Sequence, residues 1–151
     1  MRHLLLFLHI AGFVLWMGGG LSVTALSIAM GREPRERLAL VVRLIGVIHR
    51  GLVLPGTLMV VLSGLLLTLS LYSQASVTGF PVALMVMQGA GLLAAGLVFV
   101  INVPTVARLA RLDPVGEYAA TFDALRKRAG LSGRLTGLLL MTALVAGVLL
   151  R

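Results

Sequence analysis

Residues 4–30 run without a single charged side chain. A bilayer crossing needs ~20 consecutive apolar residues, and a buried core helix of a soluble domain rarely sustains so long an uncharged run. Three further apolar runs follow, over about residues 38–71, 81–103 and 131–150. A polypeptide in lipid must satisfy every backbone polar group internally, and a helix does so within one segment. The expected fold is therefore all-α: an integral membrane four-helix bundle forming a single domain over residues 1–151.

Composition agrees. Hydrophobic residues make up 59% of the chain and charged residues only 12%. Soluble domains carry roughly 25% charged residues. There is no cysteine, which excludes disulfides, zinc–thiolate sites and iron–sulfur clusters. The apolar run after Arg2 is far longer than the ~7–15 residues of a signal-peptide core, so the first segment reads as a retained helix.

The net charge of +8 does not point to nucleic acid, because the basic residues are grouped between apolar runs. Arg32, Arg35, Arg37, Arg43 and Arg50 cluster around the first loop. Arg108, Arg111, Arg126, Lys127, Arg128 and Arg134 cluster around the third. The second loop, residues 72–79, holds no Lys or Arg. By the positive-inside rule, loops one and three face the cytoplasm and both termini lie outside. Asp113-Pro114 signals a turn, and residues 115–129 could form a surface helix ending at Arg126-Lys127-Arg128, which suits contact with anionic lipid.

Two prolines interrupt the apolar pattern. Pro55 lacks an N–H and crowds the carbonyl at Gly51, so a kink is expected there. Pro104 is expected to bend or end helix three just after Asn102. Gly51, Gly56 and Gly64 on helix two, and Gly133 and Gly137 on helix four, would permit close helix packing.

His9 is the one histidine well inside an uncharged apolar segment, and Trp16 is the only tryptophan. Seven residues apart, they share a helical face, with Gly12 and Gly20 near the same stripe. An ionisable residue within a membrane span is a candidate functional group. His49 is placed at the opposite end, roughly 33 Å by helix rise from the outer end of helix two. The two histidines therefore cannot ligate one iron together. Beside Arg50, His49 reads as a headgroup anchor, and His3 as a solvated residue. Matching depth brings His9 towards Met85, Met87 and Gln88 on helix three and Met141 on helix four. Histidine with methionine is an axial pair for haem iron, and imidazole with thioether also suits copper. Gln88, Gly91, Ala95 and Asn102 lie near one stripe that should face inward, since amides in lipid seek partners. No Asp, Glu or Lys falls inside a span, which argues against proton-coupled transport and hydrolytic chemistry.

Leu8-His9-Ile10 with Trp16-Met17-Gly18-Gly19 resembles the first helix of a bacterial group of small four-helix membrane proteins. That group includes CopD-type copper-resistance proteins and HemJ-type protoporphyrinogen oxidases. Leu54-Pro55-Gly56-Thr57-Leu58, Leu62-Ser63-Gly64 and the run from Asn102 to Leu109 are similar to a member known as domain of unknown function 2269. The resemblance to HemJ-type proteins implies haem b held by a histidine of helix one, matched by His9, and a lysine of helix three. Gln88 stands near that second position, and helix three holds no lysine.

Three functions are thus on the table. One is a haem b protein in electron transfer, acting as a small redox protein or subunit, with His9 as metal ligand and Trp16, Met85, Met87, Gln88 and Met141 around the cofactor. The second is a non-catalytic structural or assembly subunit docking other membrane helices or a second copy in the lipid bilayer. The third is copper handling through His9, Met85 and Met87.

Overall fold

The computed structural model describes residues 1–72 and 81–150. The uncharged second loop, including Ala75, lies outside the described residues. Helix α1 spans Arg2–Ala29. Pro34 caps α2, Arg35–Ile48, which passes through a π-helical turn, His49–Val53, into α3, Leu54–Tyr72. Pro81 caps α4, Val82–Leu97, followed by a second π turn, Val98–Asn102, and α5, Val103–Leu109. The last helix, α6, spans Ala119–Val148. The chain is all-α, with four helical rods long and apolar enough to cross a membrane: Arg2–Ala29, Arg35–Ser70, Val82–Leu109 and Ala119–Val148. The exposed apolar residues on every rod, Phe7, Val14, Leu69, Leu93, Val100 and Leu138 among them, suit embedding in a bilayer.

Both π turns end two residues before a proline, and this is how the rods absorb Pro55 and Pro104. In an α-helix each ring would crowd the carbonyl four residues back, at a cost of about 3 kcal/mol. Here Leu54 N–H reaches His49 O, and Val103 N–H reaches Val98 O, each five residues back. The wider turn makes room for the ring. Helix three therefore does not end at 103, as its sequence suggests, but continues to Leu109.

The expected surface helix 115–129 and span 131–150 are one continuous helix. Gly130 costs only about 1 kcal/mol relative to alanine inside a helix, too little to break one that is anchored on both sides. The turn lies earlier, at Gly116, whose φ of 93° is open to glycine. Arg35 fastens this corner: its guanidinium meets Asp123 Oδ2 at 2.7 Å and donates to the Pro114 carbonyl at 3.1 Å.

The rods associate as two tight pairs, α1 on α3 and α4 on α6. The first pair is a glycine seam. A Cβ on Gly56 would lie 2.6 Å from Trp16 N and 2.8 Å from Gly12 O. One on Gly12 would lie 2.7 Å from Met59 Cβ, and one on Gly19 2.9 Å from Val53 Cγ2. Gly19, not Gly20, is the partner of Gly12 in the seam, and Gly20, Gly51, Gly133 and Gly137 all face open space. The second pair buries Ala90, Ala94 and Ala95 of α4.

At the basic end the pairs are joined by Met30, Leu38, Val42, Ile45, Val106, Leu109 and Phe122. A second cluster lies higher, around Trp16, Val53, Ala94, Ala95, Val98 and Leu140. Between them His49, Asn102, Ser132 and Thr136 are buried. Asn102 Nδ2 donates to Thr136 Oγ1 at 3.4 Å, and Thr136 donates to the Ser132 carbonyl. Above Trp16, towards Arg2 and Leu150, the two pairs part.

Candidate functional site

The parting leaves a cavity of about 610 Å³ between α1, α3, α4 and α6. Its volume falls within the ~300–1,000 Å³ of small-molecule and cofactor sites. The walls are mainly Leu, Val and Ile side chains, with His9, Trp16, Met87 and Gln88 among them. Four of the six residues singled out from sequence are therefore assembled around one space. Met85 and Met141 are not. They are 53% and 50% exposed and do not line the cavity. The reason is helical phase: Met85 is two residues from Met87, so it points about 200° away.

His9 is positioned by α3, not by the helices its depth suggested. Its Nδ1 lies 3.0 Å from the Val60 carbonyl and 3.2 Å from Ser63 Oγ. A carbonyl oxygen only accepts, so Nδ1 carries the proton. The Ser63 hydroxyl donates to the Met59 carbonyl, which leaves its oxygen free to accept from the same Nδ1–H. The tautomer follows: Nε2 of the neutral ring holds a lone pair. This is the arrangement of metal-binding histidines, whose other nitrogen donates to a carbonyl or carboxylate that fixes the ring. Gly64 makes the space, since a Cβ there would sit 3.0 Å from His9 Cε1 and 3.3 Å from Nδ1.

Two further polar residues of the cavity, Gln88 and Thr68, bond to each other. Gln88 Nε2 donates to Thr68 Oγ1 at 2.5 Å, and Thr68 donates to the Gly64 carbonyl at 3.0 Å. Gln88 thus ties α4 to α3 across the looser seam. Trp16 is only 1% exposed and packs on the cluster with Ala94, Ala95, Val98 and Leu140, forming the closed floor. Met87 is held between the cavity and α6, its Sδ 3.2 Å from where a Gly147 Cβ would stand.

His49 does not line this cavity, in keeping with its distance from His9 along the bundle. It is, however, no headgroup anchor. It is 7% exposed inside the first π turn, with Nδ1 donating to the Ile45 carbonyl at 3.2 Å. Arg50 is the exposed member of the pair.

Sequence reasoning did not assign Val60, Ser63 and Gly64, the α3 side, to the site. The polar and small pair Ser63-Gly64 in an apolar run was its signal. It also missed Arg2, which lines the cavity at the start of α1. Among the described residues no three His, Cys, Asp or Glu side chains gather as a metal cage. No protein family, curated protein or solved structure matches this chain.

Proposed function

We propose that this protein holds haem b in the cavity between its helix pairs and serves electron transfer, as a small redox protein or the redox subunit of a larger membrane complex. The observation that carries the reading is His9: its Nδ1–H is taken by the Val60 carbonyl, and Nε2 is left as a free base beside a cavity of about 610 Å³.

The donor set fits a macrocycle better than a bare ion. A porphyrin brings four nitrogen donors of its own and asks the protein for only one or two. His9 Nε2 is the first, and among the described residues Met87 is the one thioether lining the same cavity. Copper needs a fuller set of soft ligands from the protein. With Met85 on the outer surface, His9 and Met87 would be alone, which weighs against copper handling. When bound, the group supplies a one-electron iron couple whose potential follows its axial ligands. The protein's own part is to fix the imidazole through Val60 and Ser63, to seal the floor with Trp16, and to surround the site with apolar walls. Low polarity around the site is a lever on its potential.

The loop charges support a cytoplasmic basic end with the cavity on the opposite side, and the resemblance supports a bacterial inner-membrane location. The resemblance around His9 points to the same cofactor. A second reading, a structural or assembly subunit, draws on one observation: Gly133 and Gly137 of α6 face open space beside exposed Leu131 and Leu138. Small residues on an outer face let another membrane helix approach closely.

The visible spectrum of the purified protein tests the proposal. A Soret band supports it. A colourless protein that takes up no haem and copurifies with other membrane subunits favours the second reading.

A further inference from the structure

Arg2, His9 and Trp16 stand at seven-residue intervals on α1, and all three line the cavity. By helix rise each step is ~10.5 Å. The cavity is therefore graded along one stripe: a guanidinium at the mouth, a free imidazole nitrogen part-way down and an indole floor. Among the described residues, Arg2 is the only charged side chain that lines it. Arg2 is exposed at the helix end and has no ion-pair partner among the described residues. A guanidinium presents a fork of N–H donors matched to a carboxylate.

We propose that the cavity selects a carboxylate-bearing amphiphile, with Arg2 taking the acidic edge of the ligand at the mouth while the apolar body lies against His9 and Trp16. This rests on the haem reading above and sharpens it: the two propionate carboxylates of haem b would be oriented towards Arg2, so the ring enters one way round. An uncharged ligand of the same shape would lose this contact. The other anion within reach of an arginine at this depth is a lipid phosphate, and the test separates the two.

The full-length protein in a zwitterionic detergent is titrated with haem b and, separately, with its dimethyl ester, in which both carboxylates are masked. Affinity is read from the Soret absorbance. The wild-type chain should bind haem b about fivefold more tightly than the ester, the scale of one favourable exposed ion pair. In Arg2→Ala the two affinities should converge at the ester's value, and Arg2→Lys should keep part of the preference. Because Arg2 is exposed, the substitution leaves the fold alone, which an unchanged thermal unfolding midpoint verifies. Equal affinities for acid and ester in the wild-type chain would overturn the proposal. So would an Arg2→Ala variant that binds both ligands as wild type does, the result if Arg2 serves only lipid phosphate. Failure of the wild-type chain to bind either porphyrin would overturn the haem reading as well.

Discussion

Replacing Gly56 with alanine adds one methyl group at the tightest crossing in the bundle. That carbon would lie 2.6 Å from Trp16 N, 2.8 Å from Gly12 O and 3.1 Å from Leu15 Cβ. Two of these are backbone atoms of a regular helix, which cannot turn aside as a side chain can. The α1 and α3 rods must therefore separate, and the glycine seam loses contacts at Gly12 and Gly19 together. Overpacking of this kind costs about 1–3 kcal/mol, and two backbone clashes place it at the upper end. Separation also stretches His9 Nδ1–H to the Val60 carbonyl, now 3.0 Å, for about 1 kcal/mol more. Alanine's better helix propensity returns about 1 kcal/mol. The net expectation is a loss of about 3 kcal/mol. Gly96→Ala is the control, since nothing lies within 4 Å of its Cβ position. It should be neutral or stabilising by up to about 1 kcal/mol. Both variants can be compared by unfolding in mixed micelles at increasing denaturing-detergent fraction. The reasoning fails if Gly56→Ala unfolds with wild type, or if Gly96→Ala is destabilised as much as Gly56→Ala.

Two other perturbations follow from the same structure. Ser132 Oγ is buried without a hydrogen-bond partner among the described residues, while Thr57, Thr68, Thr136 and Thr142 each donate to a carbonyl one turn back. A buried unpaired polar group costs about 1–3 kcal/mol, so Ser132→Ala should leave the unfolding midpoint unchanged or raise it, and a clear drop would show that the hydroxyl has a partner. Topology reporters fused at Glu117 and at Ala75 should read cytoplasmic and periplasmic, as the charge of the loops requires; the reverse pattern would place the cavity mouth on the cytoplasmic side.

The four long helices were legible because apolar runs of membrane length have few alternative folds. His9 and Trp16 were legible because each is chemically out of place in such a run. Much else depended on helical phase and on which helices pair. Depth alone grouped Met85 and Met141 with His9, but rotation about their helices turns them outward. Depth also left the neighbour of α1 undecided, so Val60 went unnoticed and Ser63 was seen only as part of a motif, although both hold His9. Pro55 and Pro104 announced a disturbance. The sequence does not say whether a helix ends, kinks or widens there, because that depends on whether packing beyond the proline is worth continuing the rod. Phe122 and the Arg35–Asp123 pair make it worth continuing at the other break, Gly130, by anchoring the first turns of α6.

The central claim is that His9 Nε2 is the ligand-binding atom of this protein. Its most direct test is the visible spectrum of three proteins expressed and purified side by side: wild type, His9→Ala and His49→Ala. Wild type should carry a Soret band. The His9 variant should lose it or show it strongly displaced, because an axial ligand sets the electronic state of the iron. The His49 variant should keep the wild-type spectrum, since His49 lies outside the cavity. A Soret band unaltered in His9→Ala would contradict the account and leave His9 as a residue that only pins α1 to α3.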